Sequence, residues 1–351
     1  MSEVTESSDS PDATSDAFEA VADTTLTKKE RYKRAIDRRY LAPIRVMWTD
    51  LRARVGLLII AFFVSMGVIG PRVVDPPKVS EGPQLQGAFQ SWAHPLGTDN
   101  LGRDVLAMIV HATPNMLLMI LAGGIFTTVL ATVFGTTSGY LGGRTDRVLS
   151  MMMDTVMTIP GLPLIVILAA ALQPENPVVI GVILTINAWA GLARSIRSQV
   201  LAIRQNSYVE ASKAMGLSTS SIIRRDIMPN IMPYVLINFV ESARNVIFAS
   251  VGLYFIGVLP YDSIVNWGVM IDLAYTSGGA LQSLDAAHWL LAPLITITLL
   301  SFGLIMFAQG TDRMFNPRVR AQHTSTSDGD ADPESTAKTD SNATHAITDR
   351  K

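Results

Sequence analysis

EASKAMGLSTSSIIRRDIMPN, residues 210–230, is a polar stretch lying between two strongly apolar runs. It carries Glu210, Lys213, Arg224, Arg225 and Asp226, and it is broken once, at Gly216. Ser207 stands three residues before Glu210, the spacing of a capping box, which predicts a helix starting there. Gly216 is free to take the positive φ that ends a helix at its C′ position. Ser218 can cap a second helix, in which Ile222, Ile223 and Ile227 form one apolar edge, and Pro229 follows where the next apolar run begins. Residues 206–230 therefore predict two short helices meeting at a sharp corner. Helices of this length are not stable alone in water. They must pack on lipid, on the rest of the chain, or on another protein.

The runs on either side belong to a membrane protein. Of the 351 residues, 48% are hydrophobic and 17% are charged, against roughly 25% charged in ordinary soluble domains. Six segments are apolar enough to cross a hydrocarbon core of roughly 30 Å: about 55–74, 114–141, 148–172, 177–193, 231–258 and 289–308. The fold class is all-α integral membrane protein with six transmembrane helices, the membrane body being 55–320.

Lysine and arginine set the orientation. With the N-terminus inside, the inner segments carry Lys28, Lys29, Arg31, Lys33, Arg34, Arg38, Arg39, Arg45, Arg52 and Arg54, then Arg144 and Arg147. Further along they carry Arg194, Arg197, Arg204, Lys213, Arg224 and Arg225, then Arg313, Arg318 and Arg320. The outer segments carry Arg72, Lys78 and Arg103. Both termini and the 206–230 corner are thus expected on the cytoplasmic side of a multi-pass cell-membrane protein. Residues 1–27 and 321–351 are polar and poor in large apolar groups, and are expected to be disordered cytoplasmic tails. Residues 28–54 space Tyr40, Leu41, Ile44, Met47, Trp48 and Leu51 among basic residues, which predicts an amphipathic helix on the bilayer surface. Acidic residues and no Lys or Arg before Lys28 leave no cleavable signal peptide in view.

Several chemistries are excluded by what the sequence lacks. With no cysteine there is no disulfide, thiolate metal site or cysteine nucleophile. There is no G-x-x-x-x-G-K-[ST] cradle for nucleotide phosphates, no H-E-x-x-H and no G-x-S-x-G. His94, His111 and His288 match no ligand spacing, so neither a metal nor a cofactor is expected on this chain. The basic residues of 28–54 adjoin a span, which fits lipid headgroups better than nucleic acid.

Charges inside spans cost about 2.5–3.5 kcal/mol for a central Asp or Arg, so each needs a reason. Asp154 is a candidate gate or pore contact. Lying only about six residues into the span, it reads more readily as a helix-end carboxylate reaching interfacial water, or pairing with Arg144 or Arg147. Glu241 and Arg244 stand i, i+3 in the fifth span and can pair on one helix face, in a translocation or a structural role. In the second span Gly135 and Gly139 form a small-xxx-small pair suited to close helix contact, unless they reflect only the general abundance of glycine in membrane helices. Outside, Asp99 or Asn100 can cap a helix holding Leu101, Val105, Leu106, Ile109 and Val110.

Glu210, Ala211, Gly216 and Pro229 resemble the E-A-A-x-x-x-G loop of ABC-importer permease subunits, with Ser212 for the second alanine, Asp226 where many members are apolar and Met228 where leucine is usual. HPLGTDNLGRDVLA at 94–107, Asp154 and Pro160 in MMMDTVMTIPG, NWGVM at 266–270 and GTDRMFNPR at 310–318 resemble the dipeptide/oligopeptide/nickel branch, specifically its C-type, or second, permease. Ser250 stands where members often carry an acid. The resemblance spans about 45–318. It implies the type I ABC importer fold and a non-catalytic permease that moves peptides, nickel or an oligosaccharide delivered by an external binding protein. It further implies a homologous permease and two ABC ATPases as partners, with ATP and Mg on the ATPases. The loop would be a coupling helix docking in the ATPase, its surface formed by Glu210, Ala211, Gly216, Ile222, Ile223, Ile227 and Pro229. The rival reading is an ion-gradient-driven secondary transporter, which needs polar groups converging at mid-membrane and often an internal repeat. Asp154 and the Glu241/Arg244 pair are the only such groups in view.

Overall fold

A 37-residue helix, Val105–Leu141, is the axis around which the other spans gather. The structure, a computed structural model, describes residues 50–259 and 266–315. The predicted tails, and the basic surface segment up to residue 49, lie outside the described residues. Regular structure among the described residues is helical, apart from one isolated antiparallel bridge between Thr98 and Asp104.

Helix α1, Leu51–Val73, starts where the Asp50 side chain accepts from the Arg52 N–H at 2.8 Å. Helix α2 is Val105–Leu141. The separate outer helix expected before it does not form. Val105, Leu106, Ile109 and Val110 are the first turns of α2 itself, because Asp104 caps it by accepting from Leu106 N–H at 2.7 Å and Ala107 N–H at 3.4 Å. The polar run His111–Asn115 interrupts the hydropathy, but Pro114 sits inside the helix without ending it.

The third and fourth spans are broken. Helices α3 (Gly143–Thr158) and α4 (Gly161–Leu172) are bent by 79°, and α5 (Pro177–Leu184) and α6 (Ala188–Ile203) by 58°. The first break follows from Pro160, which pushes Ile159 out of the α region to φ −74°, ψ 123°. Helix α6 continues well past the predicted end at 193, carrying Arg194 and Arg197 on a helix rather than a loop. Then come α7 (Ser207–Ala214) and α8 (Thr219–Ile222), which leads through a π-helical turn, Ile223–Ile227, into α9, Met228–Phe255. Helices α10 (Trp267–Thr276) and α11 (Ala287–Phe315) complete the described chain. Among the described residues, four helices are singly long and apolar enough to cross a membrane, and up to six spans result if each bent pair is one.

The close fit of α2 to α6 depends on glycine. A Cβ at Gly139 would lie 2.8 Å from the Arg197 carbonyl oxygen, and one at Gly135 would lie 2.5 Å from that of Ala193. The small-xxx-small pair is therefore a packing surface, where backbones approach directly. One apolar cluster, including Met116, Ile180, Trp267 and Trp289, joins α2, α5, α9, α10 and α11. A second, including Tyr140, Trp189, Val200, Val209, Ile222 and Ile227, joins the end of α2 to α6 and to the 206–230 corner.

Candidate functional site

The corner forms as a Schellman motif. Helix α7 ends as the Gly216 N–H donates to the Lys213 carbonyl at 2.9 Å and the Leu217 N–H to the Ser212 carbonyl at 3.2 Å. Gly216 takes φ +76°, a left-handed conformation that glycine adopts without strain. The Ser218 hydroxyl then accepts from the Ser221 N–H at 3.4 Å to start α8. The expected capping box is absent. Asn206 is the N-cap and makes no side-chain capping bond, which leaves Ser207 already inside the helix.

The corner has two faces. Val209, Ile222 (2% exposed) and Ile227 (0%) point into the chain's own cluster beside Tyr140 and Val200. Ile222 and Ile227 thus cannot offer a surface to another protein, contrary to expectation. They hold the corner to the bundle, and burial of such a side chain is worth about 1.5–3 kcal/mol. Ile223 is partly buried against the same cluster. The opposite face is open: Tyr208, Glu210, Ala211, Lys213, Met215 (71% exposed), Gly216 and Leu217 all face outward, as does Pro229 beyond the corner.

Pro229 explains the π turn. A proline cannot donate, and its ring crowds the carbonyl four residues back. The chain widens over Ile223–Ile227, and the Met228 N–H reaches the Ile223 carbonyl, one residue beyond α-helical spacing. Asn230 Nδ2 donates to the carbonyl of Asp226 at 2.6 Å, stapling the turn.

The helix ends beneath the corner are tied by charge. Arg197 on α6 donates to Asp146 on α3 in a bidentate pair, Nε to Oδ1 at 2.6 Å and Nη2 to Oδ2 at 2.7 Å. Ser138 at the end of α2 and Ser150 on α3 also donate to Asp146 Oδ1, at 2.5 and 3.2 Å. Arg204 donates to the Gly139 carbonyl at 3.0 Å, satisfying the exposed C-terminal end of α2. The Lys213 ammonium lies 5.4 Å from the centroid of the Tyr140 ring, a cation–π contact linking α7 to α2. Sequence reasoning missed the Asp146–Arg197 pair. Extending the helical period past residue 193 would have placed Arg194 and Arg197 on one helix beside α3.

Asp154 pairs with Arg194, not with Arg144 or Arg147, because α6 reaches far enough to lie alongside α3. Both side chains are about half exposed. Asp154 lines a cleft of about 590 Å³ together with Asp146, Arg147, Ser150, Met151, Thr155, Thr158 and Arg197. Glu241 and Arg244 pair on α9 as their spacing predicted. Glu241 faces outward, and Arg244 keeps its Nε buried without a hydrogen-bond partner. Glu241 and Arg244 are not among the residues lining the Asp154 cleft.

With this geometry in view, comparison decides the family. The profile described as "Binding-protein-dependent transport system inner membrane component" matches residues 131–321, from within α2 to beyond α11. The chain belongs to that family. It is 29% identical to the dipeptide transport system permease protein DppC of Bacillus subtilis over 84% of this chain and 91% of that protein. It is 30% identical to the probable D,D-dipeptide transport system permease protein DdpC of Escherichia coli over 65% of this chain and 75% of that protein. Among solved structures, the inward-facing MetNI methionine ABC transporter matches 58% of this chain and 96% of that chain, with 18% identity and a TM-score of 0.45. The chain is a membrane permease of the ABC-importer type, all-α and non-catalytic.

Two features of this permease lie away from the corner. Ser250 is fully buried, donating to the Ile247 carbonyl at 2.9 Å beside Met116. An acid there would be buried in an apolar core, so serine suits the packing. The 94–107 stretch is a folded clasp over the start of α2. Fully buried Asp99 accepts from Leu101 N–H and Arg103 N–H, both at 2.8 Å, and from Arg103 Nε at 2.6 Å. His94 pairs with Asp104 at 3.3 Å, while His288 and His111 donate to the Thr98 and Val74 carbonyls, each at 2.9 Å. His94 thus braces the clasp internally, His288 ties it to α11, and His111 ties α2 to the end of α1.

Proposed function

We propose that this permease is the C-type membrane subunit of an ATP-driven importer that moves peptides delivered by an external binding protein. Peptides are preferred to nickel or sugar because the matching permeases are named for dipeptides. It works with a homologous permease and two ABC ATPases, which hold the ATP and Mg. Both termini and the corner lie in the cytoplasm, as the lysine and arginine distribution favours. Asp154 with Arg194, and Glu241 with Arg244, are the charged groups offered to the translocation path.

The observation carrying this reading is the two-faced corner. Its inner face is locked to α2, α6 and α9, and its outer face presents Tyr208, Glu210, Ala211, Lys213, Met215 and Leu217. A push on the outer face is transmitted to spans because few residues intervene between α6, α7 and α9. An ATPase should co-purify with the chain from its native membrane and be lost when 206–230 is replaced by a flexible linker. Retention of the ATPase by the linker variant would refute the docking role.

A further inference from the structure

Helix α9 carries a polar stripe along its exposed side. Glu241, Asn245, Phe248 (53% exposed) and Gly252 stand at i, i+4, i+7 and i+11 and face away from the bundle. The opposite side, with Val240, Ala243, Val246, Ile247 and Ser250, is buried. Contacts with α2 fix the depth of the stripe. A Cβ at Gly124 would lie 2.9 Å from the Phe239 ring, and one at Gly123 would lie 2.7 Å from the Val246 side chain. These glycines stand nine and ten residues past 114, where the apolar run of α2 starts, or about 14–15 Å along the helix. Glu241 and Arg244, between Phe239 and Val246, therefore lie near the middle of a hydrocarbon core of roughly 30 Å.

At that depth a charged pair on an exposed face does not rest against lipid; it marks water or protein beyond it. The pair is also incompletely satisfied. Arg244 Nη2 donates to Glu241 Oε1, but Arg244 Nε is buried with no hydrogen-bond partner and the Glu241 side chain is half exposed. A fixed protein seam would need an equal and opposite pair on the partner. A peptide already carries one, an ammonium at one end and a carboxylate at the other. An extended dipeptide spans at most about 7 Å, close to the roughly 5–6 Å between Cβ atoms at i and i+3 on a helix.

We propose that Glu241 and Arg244 form a zwitterion relay for the cargo. The two side chains close on each other, the arrangement described above, and part to take the peptide ammonium on Glu241 and the peptide carboxylate on Arg244. Only side-chain rotation is needed, and both arrangements are neutral. The passing peptide exchanges one set of ion pairs for another, and no unpaired charge is left at mid-membrane. Longer peptides engage one end at a time. This rests on the reading of the chain as a peptide permease with this pair on its translocation path.

The test uses the cysteine-free chain in the full transporter in liposomes. Phe248→Cys places a thiol on the same stripe, one turn beyond Arg244. Its labelling by a small hydrophilic methanethiosulfonate is timed without nucleotide and with ATP plus vanadate. Labelling in at least one state is expected, slowed severalfold by millimolar dialanine and unchanged by N-acetyl-dialanine amide, which lacks both charges. Glu241→Gln with Arg244→Gln, introduced together so that neither charge is stranded, should abolish the protection. The comparison of free and capped peptide needs no charge variant and stands if that one fails to assemble. Labelling without protection by dialanine, equal protection by both peptides, or protection that persists in the double variant would overturn the relay while leaving the stripe on the path. No labelling in either state would place the stripe against lipid or a fixed partner and refute its place on the path. If the unaltered transporter takes up neither dialanine nor tetraalanine, the peptide reading fails and the relay fails with it.

Discussion

Arg197 grips both carboxylate oxygens of Asp146, 51 residues earlier in the chain, and two serines complete the same carboxylate. The pair joins α3 to α6, and Ser138 adds the end of α2. Arg197→Leu strands a partly buried carboxylate. Loss of hydrogen bonds to a charged group costs about 1.5–3 kcal/mol. The purified variant should melt at a visibly lower temperature in detergent. Asp154→Asn, in a pair that is half exposed, should cost less than about 1 kcal/mol. Equal losses in the two variants would show that bidentate geometry and burial do not set the difference.

Gly216 should matter through its backbone alone. An added Cβ meets nothing within 4 Å, so no clash arises, but a left-handed φ costs an ordinary residue roughly 1–2 kcal/mol. Gly216→Val should leave the protein in the membrane at normal levels while peptide uptake falls and ATP hydrolysis continues. Gly216→Asn, better suited to this conformation, should recover most of the uptake. Unchanged uptake in Gly216→Val would count against a rigid corner.

Gly139 is limited by space instead. Gly139→Leu would drive a side chain into the Arg197 carbonyl and Val200. Overpacking of this kind costs about 1–3 kcal/mol. The amount of folded protein in the membrane should fall, and the same substitution at Gly191, where an added Cβ meets nothing within 4 Å, should not lower it.

On α9, Glu241→Leu should damage the protein more than replacing Glu241 and Arg244 together by leucine. The single change leaves Arg244 without its carboxylate partner, with an Nε already unsatisfied. If the double variant is stable and imports normally, the pair is structural. If it is stable but does not import, the pair serves the translocation path.

How far the sequence could be read depended on the kind of signal. The Gly216 corner was legible because a positive φ has a local cause in one residue type, and the structure adopts it. The break at Pro160 had a local cause as well, but hydropathy runs straight through it, so α3 and α4 read as one span. Hydropathy also hid the start of α2 behind the polar run His111–Asn115, and the end of α6 behind Arg194 and Arg197. The facing of Ile222 and Ile227 could not be read at all. Their periodicity shows that they share an edge, but whether that edge meets the bundle or a partner depends on where Tyr140 and Val200 lie. Asp154 shows the same limit, since its partner Arg194 comes from a helix whose length the sequence understated.

The central claim is that the outer face of the corner receives an ATPase. Met215 is the most exposed large apolar side chain there, and the chain has no cysteine to confuse a thiol reagent. Met215→Cys in inside-out vesicles, treated with a short bifunctional thiol reagent, should join this chain to an ATPase that carries a cysteine placed along its docking groove. Absence of that product, together with labelling of Met215→Cys by a membrane-impermeant maleimide added outside intact cells, would contradict the account.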